Sequence, residues 1–167
     1  MKRLIPFVLA MFPVLSAARS GQYDNTPITS FDLSRYLGTG YEIARFDHSF
    51  ERGMQGVTAN YSLQNDGTVL VVNSGLRGGK PTEAVGRAKT TSQVGRLRVS
   101  FFWIFYSDYN ILEMDKDGQW VLVGSRSPQY LWILARTPKL SDDVMTQIIN
   151  LAEQRGYNTD NLIFVEH

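Results

Sequence analysis

The sequence contains no cysteine and only two histidines among its 167 residues. The absence of cysteine excludes disulfide bonds, thiolate metal ligands and thiol nucleophiles. No His-Glu-x-x-His or Gly-x-Ser-x-Gly motif occurs, so the usual signatures of zinc hydrolases and serine esterases are missing. Lysine and arginine (17) nearly balance aspartate and glutamate (16), which argues against nucleic acid as the main partner. The composition therefore predicts no metal site, no cofactor and no nucleic-acid partner.

A long apolar segment is also lacking. The mostly apolar run from Leu4 to Leu15 has 12 residues, whereas a helix that spans a bilayer needs about 20. The run follows the basic start Met1-Lys2-Arg3 and precedes Ser16-Ala17-Ala18, an order typical of a secretory signal peptide. We predict a signal peptide at 1–18 with cleavage after Ala18, a mobile lead-in at 19–29, and one domain at 30–167.

Short stretches of extended-type sequence follow one another closely up to residue 136. Val57 to Leu63 alternates apolar and polar residues with the two-residue period of a strand, and Asp66-Gly67 predicts a tight hairpin turn. We therefore predict an all-β fold, an eight-stranded antiparallel up-and-down barrel, which leaves no unpaired strand edges. The first strand should end at Phe46, and the other seven are expected at 57–63, 68–73, 84–89, 94–103, 109–114, 120–124 and 130–136, with a loop at 74–82.

One long helix is predicted after the strands, from Asp142 to Arg155. Ser141 provides the N-cap and Gly156 the stop. Its apolar residues fall on one face, as expected for a helix that packs on the barrel wall. Two shorter elements are predicted as well: one or two helical turns over 30–37, capped by Ser30, and a last strand at 162–165 beside the first.

The start of the first strand, Gly38-Thr39-Gly40-Tyr41-Glu42-Ile43-Ala44-Arg45, resembles the opening motif of the lipocalins. The resemblance to bacterial lipocalins continues through 47–53 and returns at 57–63, 100–111 and 130–138. Two positions depart from the family pattern. Gly40 stands where the family has tryptophan, and Ala18 stands where many bacterial members carry an acylated cysteine.

The resemblance implies that the barrel binds an elongated apolar molecule, a fatty acid or a lysophospholipid, for storage or transport in the cell envelope. It implies a periplasmic or secreted protein with outer-membrane association left open, and no catalysis. A homodimer and a peripheral contact with a membrane are also left open. The residues expected in the ligand cavity are Ala44, Tyr61, Phe101, Tyr106, Trp132 and Leu134, and those expected to close the barrel are Gly38, Gly40 and Arg136.

Two alternatives belong to other functional classes. An enzyme acting on a lipid inside the barrel would need a buried acid or base, for which Glu42 and Glu113 are the candidates within strands. A haem-binding barrel would need His48 to reach inward, although a solvated loop histidine is the favoured interpretation. Two basic pairs, Arg87 with Lys89 and Arg96 with Arg98, are expected on a solvated outer wall, or in contact with anionic lipid headgroups.

Gly40 carries an expectation of its own. In the family the tryptophan at this position plugs the barrel base and packs under an arginine, which Arg136 matches here. Losing a buried tryptophan side chain typically costs about 3–5 kcal/mol, so Gly40→Trp is expected to raise the melting temperature, unless a nearby aromatic fills the space. The candidates for filling it are Tyr36, Tyr41 and Trp120.

Overall fold

The computed structural model describes residues 22–101 and 106–167; the predicted signal peptide lies outside these ranges. Within them the chain forms nine strands, two α-helices and one 3₁₀ turn. The elements are α1 (Leu33–Tyr36), β1 (Gly38–Phe46), β2 (Met54–Leu63), β3 (Val69–Arg77), β4 (Lys80–Thr90), β5 (Arg96–Ser100), β6 (Ser107–Met114), β7 (Trp120–Gly124), β8 (Leu131–Ala135), α2 (Asp142–Gln154), the 3₁₀ turn (Thr159–Asn161) and β9 (Leu162–Phe164).

The strands confirm the predicted up-and-down barrel. Each of β1 to β8 pairs antiparallel with its neighbour in the sequence, and β8 pairs with β1 to close the eight-stranded sheet. The predicted last strand is also present, as β9, which pairs with β1 through Ala44 to Phe46. Two-residue alternation and tight turns with glycine at positive φ, such as Gly67 at 81° and Gly118 at 72°, account for this topology.

The C-terminal tail completes the wall between β1 and β2. These two strands pair directly only from Gly38 to Tyr41. Further along, Val165 donates its backbone N–H to the carbonyl of Ile43, and Gly56 donates to the carbonyl of Glu166. The His167 ring donates from Nε2 to the Glu42 carbonyl, 2.8 Å away. The tail therefore supplies hydrogen-bond partners where β1 and β2 separate.

The two faces of the sheet carry two apolar clusters. The outer cluster lies beneath α2, where Ile148 and Ala152 are fully buried against strand residues such as Leu122 and Ile133. The N-cap of α2 is Ser141, as predicted, whose hydroxyl accepts from the N–H of Val144. The interior cluster lies inside the barrel, and its buried members are Tyr36, Ala59, Tyr61, Val69, Val71, Ala88, Ile111, Val121, Val123 and Leu134.

The segment 22–29 differs from the mobile lead-in expected from its polar composition. Arg155, just after α2, donates from Nη1 to the carbonyls of Asp24 and Thr26 at 3.2 and 2.9 Å. The N–H of Ile28 also donates to the Ile111 carbonyl at 2.8 Å. Side-chain composition does not reveal these backbone partners, which lie far away in the sequence and hold the segment against the barrel.

Two predicted boundaries are also wrong. The glycine-rich stretch 74–82, predicted as a loop, is mostly paired strand, because β3 and β4 stay in register as far as Arg77 and Lys80 and only Gly78 and Gly79 form the turn. The first helix begins later than predicted. Its cap is Asp32, whose carboxylate accepts from the N–H of Ser34 at 2.9 Å, rather than Ser30.

Candidate ligand site inside the barrel

The two ends of the barrel differ in what covers them. We call the end with the loops 47–53 and 125–130 and the turn 78–79 the mouth, and the end with α1 and the turns 64–68, 91–95 and 115–119 the base. Tyr36 of α1 is buried in the interior cluster, so α1 covers the base. A ligand cavity in this fold is therefore approached from the mouth.

Arg136, which follows β8, ties the base together. Its guanidinium donates to the carbonyls of Arg35, Tyr36 and Thr39 at 2.8, 3.1 and 3.0 Å. Gly38 has φ of 98°, a conformation that favours glycine, and brings the chain past this guanidinium. Arg136 thus joins α1, the start of β1 and the end of β8 in one contact.

Gly40 faces the interior, yet the space beside it is small. A Cβ built at this position would lie 3.7 Å from the Cβ of Leu134, an ordinary contact. The adjoining cavity of about 20 Å³ is lined by Tyr36 and Trp120 among others, and this volume holds about one water molecule. The space beside Gly40 is therefore too small for an indole, and Tyr36 and Trp120 are among the side chains around it.

Three tyrosines meet above the base. The Tyr36 and Tyr109 hydroxyls hydrogen-bond each other, and the Tyr61 hydroxyl lies 3.0 Å from that of Tyr109. Burial is the main cause that raises the pKa of all three phenols, so they stay neutral at physiological pH. We call these three residues the tyrosine floor of the interior. Of the three aromatic residues considered as a filling beside Gly40, Tyr36 lies in the interior cluster.

Four of the six predicted cavity residues lie in the interior. Tyr61 and Leu134 are buried members of the interior cluster, and Phe101 and Trp132 pack against it. Gly86 leaves room for Phe101, because a Cβ there would approach the ring to 2.7 Å.

The other two predicted cavity residues lie outside. Ala44 is fully buried, but in the outer cluster beneath α2. A bulge in the pairing of β1 with β8, between Glu42 and Ala44, changes which side chains point inward. Tyr106 contacts Lys89, whose Nζ lies 4.4 Å from the ring centroid. Lys89 follows the interior residue Ala88 by one position and so faces outward.

The same bulge places two charged residues of β1 in the interior. Glu42 and Arg45 pair with Leu134 and Trp132 of β8, respectively, and both are almost fully buried. Arg45 Nη1 donates to Glu42 Oε1 at 2.9 Å, and Nη2 donates to the Glu51 carbonyl at 2.8 Å. Arg45 therefore anchors the loop 47–53 to the barrel. In a regular strand a spacing of three residues would put Glu42 and Arg45 on opposite faces, so sequence reasoning missed this pair.

Glu51 and His48 complete what we call the mouth cluster, which consists of Glu42, Arg45, His48 and Glu51. Glu51 Oε2 lies 3.3 Å from His48 Nε2 and accepts from Trp132 Nε1 at 3.4 Å. The His48 side chain is 10% exposed and packs edge-on against Trp132, with ring centroids 5.5 Å apart. It is therefore not the solvated loop histidine that the sequence suggested.

The two carboxyl groups of the mouth cluster titrate in opposite directions. Burial, followed by the charge of Glu51, raises the pKa of Glu42 to about 8, although Arg45 opposes this effect. Burial would also raise the pKa of Glu51, but its contacts with His48 and the charge of Arg45 outweigh this and lower it. At neutral pH Glu42 is therefore mainly protonated and Glu51 is ionised.

The remaining candidate groups lie on the outer surface. Glu113 Oε1 accepts from Arg155 Nε at 3.1 Å and does not belong to the interior cluster. The basic pairs are partly neutralised, since Arg87 lies 3.1 Å from Asp66 and Arg98 lies 3.3 Å from Asp108.

Within 22–101 and 106–167, no group of three or more acidic or histidine side chains is arranged to hold a metal ion. No helix in the described part of the chain is long and apolar enough to cross a membrane.

A closed antiparallel barrel with an apolar interior and one helix on its wall defines a class of β-barrel binding proteins. A lipocalin-like domain model matches residues 31–167. The chain is 40% identical over 172 residues to the outer membrane lipoprotein Blc of Escherichia coli (strain K12), covering 98% of this chain and 97% of that protein. The chain belongs to the lipocalin family.

Other relatives come from distant organisms. The temperature-induced lipocalin-1 of Arabidopsis thaliana is 32% identical over 146 residues, covering 81% of this chain and 78% of that protein. Among solved structures, insecticyanin from the tobacco hornworm Manduca sexta has a TM-score of 0.70 at 17% identity, covering 88% of this chain and 86% of that chain. The structural likeness shows the fold. Family membership shows that the barrel binds a hydrophobic ligand.

Proposed function

We propose that the protein holds a fatty acid or a lysophospholipid inside the barrel and carries it within the cell envelope without altering it chemically. The observation that supports this proposal is the apolar character of the interior between the tyrosine floor and the mouth, where Val71, Val123 and Leu134 are buried. Because α1 and Arg136 close the base, an acyl chain would enter from the mouth with its tail toward the floor.

Desolvation of the acyl chain would provide the driving force. Burying about 15 methylenes at roughly 0.8 kcal/mol each gives on the order of 12 kcal/mol. Association costs of roughly 4–15 kcal/mol offset much of this gain. Binding in the micromolar range is therefore expected, with weak discrimination between tails of similar length.

Trp132 provides the test of the site. An environment-sensitive fatty-acid probe should bind the wild-type protein, and Trp132→Ala should weaken binding by about tenfold or more, because the ring lies on the route from the mouth to the interior. Arg87→Ala is the matched control, since Arg87 is exposed on the outer wall. Arg98 is less suitable, because its guanidinium donates to the Tyr106 carbonyl at 2.6 Å. If the two substitutions weaken binding equally, Trp132 is not part of the ligand site.

A second candidate function, an enzyme acting on the bound lipid, has one observation in its favour. Glu42 is a buried, protonated carboxyl group in the interior, which is the kind of group that a general acid requires. Incubation with lysophospholipid followed by mass spectrometry distinguishes the two functions. If the protein only carries the lipid, the lipid is recovered unchanged. A new product that forms with the wild-type protein and not with Glu42→Gln would establish catalysis.

We also propose where the protein is located and whether it forms a homodimer. The relatives named outer membrane lipoprotein support a place in the envelope, and Ala18 in place of the acylated cysteine favours a soluble protein after export. Recovery in a membrane fraction that resists high salt would contradict solubility.

A homodimer could use the exposed Phe164 of the edge strand β9, and sedimentation at micromolar concentration would detect it.

A further inference from the structure

The exposed apolar side chains of the described chain include two at the mouth. Phe50 in the loop 47–53 is 62% exposed, and Leu76 near the end of β3 is 44% exposed. At the base, Leu63 and Val94 are exposed to a similar degree, 56% and 49%. Single exposed apolar residues are common on soluble proteins, so a role for Phe50 and Leu76 depends on how they are arranged and what surrounds them.

Phe50 and Leu76 lie on two segments that are joined at the mouth. Arg77 Nη2 donates to the Phe50 carbonyl at 2.6 Å, which ties the loop 47–53 to the hairpin of β3 and β4. Leu76 pairs across the hairpin with Pro81, which is also exposed. We call Phe50, Leu76 and Pro81, with the cations beside them, the mouth patch.

The charges around the mouth patch are mainly positive. Arg77 and Lys80 flank the Gly78-Gly79 turn and are exposed, and the Arg52 side chain is 69% exposed. The acidic neighbours are Asp47, which lies 3.2 Å from Arg52, and the exposed Glu83 of β4. The three exposed cations of the mouth patch therefore outnumber these two acidic residues.

We propose that the mouth patch docks on the surface of a bilayer that contains anionic lipid, with Phe50 and Leu76 entering the interface and Arg52 and Lys80 contacting lipid phosphates. Aromatic and aliphatic side chains among cations suit this surface. The proposal rests on the proposed function, since docking would bring the opening of the barrel to the source of its acyl ligand.

The size of the patch favours a bilayer over a protein partner. A stable protein interface buries about 800 Å² on each side and needs complementary shape. The mouth patch offers a few apolar side chains and long cationic ones around a glycine turn, which adapt to a fluid headgroup layer without such complementarity. Each cation near an anionic surface contributes about fivefold to binding, so this attachment would be weak, reversible and sensitive to salt.

The test is cosedimentation of the full chain with vesicles of phosphatidylcholine, with and without phosphatidylglycerol. The wild-type protein should bind the anionic vesicles and lose binding at high salt. Phe50→Ser with Leu76→Ser should reduce binding about tenfold or more, and Lys80→Gln about fivefold. The control pair, Leu63→Ser with Val94→Ser, removes similar apolar exposure at the base and should change binding less than twofold.

Equal losses in the mouth and base pairs, or no binding of the wild-type protein to anionic vesicles, would overturn the proposal. Thermal melting identifies any variant that fails to fold, and Lys80→Gln, a surface change, then stands as the independent variant. Uptake of the fatty-acid probe in the absence of vesicles should be unchanged in Lys80→Gln and in the pair at the base, whereas Phe50 packs against His48 of the mouth cluster, with ring centroids 5.7 Å apart. Failure of the wild-type protein to take up the probe would instead contradict the proposed function.

Discussion

Replacing Glu42 by glutamine tests whether a protonated carboxyl group lies inside the barrel. The Glu42 side chain is 4% exposed. It faces Arg45 on its own strand, Glu51 in the loop 47–53 and Tyr61 on β2, and the tail residue His167 binds its carbonyl. Glutamine has the same shape as the protonated carboxyl group, and its Oε1 can still accept from Arg45. The substitution therefore removes the titration and keeps the packing.

The sign of the effect follows from the raised pKa. In the unfolded chain Glu42 loses its proton near pH 4.5, whereas in the folded protein it keeps the proton up to about pH 8. Between these values the folded state binds the extra proton, so the free energy of unfolding falls as the pH rises. The full difference corresponds to about 5 kcal/mol. Because Glu42 is coupled to Glu51, whose pKa moves the other way, we expect about 2–5 kcal/mol.

Urea unfolding at pH 5 and pH 9, followed by tryptophan fluorescence, measures this effect. The stability of Glu42→Gln relative to wild type should increase by about 2–5 kcal/mol between the two pH values. Asp66→Asn is the control. Hydrogen bonds from Thr68 lower the pKa of Asp66, so that it stays ionised over this range, and its difference from wild type should not change. If the Glu42→Gln difference is equally flat, Glu42 is ionised at neutral pH and the account of the mouth cluster is wrong.

Three further predictions concern the base of the barrel. Gly40→Ala should stabilise the protein by about 0.4–1 kcal/mol, because the added Cβ meets Leu134 at an ordinary 3.7 Å. Gly40→Trp should lower the melting temperature, because the adjoining cavity of about 20 Å³ cannot hold an indole; an increase would show that Tyr36 moves out of the way. Arg136→Ala should cost about 1.5–3 kcal/mol in urea unfolding through the loss of charge-assisted hydrogen bonds to three carbonyls. Arg87→Ala, which removes an exposed ion pair, should cost less than about 1 kcal/mol. If the two substitutions lower the free energy of unfolding equally, Arg136 does not close the base.

The barrel could be predicted from the sequence because its signals are local. Two-residue alternation, Asp-Gly turns and the cap at Ser141 each involve residues close together in the chain. Short hairpin connections between successive strands also predicted their order. The helix α2 was found in the same way, within one residue of its observed end.

The interior could be predicted only in part, because the two-residue period of a strand does not reveal where a bulge interrupts it. The bulge after Glu42 sends Ala44 outward and brings Glu42 and Arg45 inward together. The filling of the base depends on Tyr36, which reaches the interior from α1. At Gly40 the expected empty space is absent, because the adjoining cavity is only about 20 Å³.

The seam between β1 and β2 has a consequence for how the protein folds. Its hydrogen bonds join Ile43 to Val165 and Gly56 to Glu166, residues at opposite ends of the domain. The hairpins from β2 to β8 form between neighbouring segments, whereas this part of the wall closes only when both ends of the domain meet. Contacts between such distant segments slow folding. We therefore expect this part of the wall to close after the hairpins have formed.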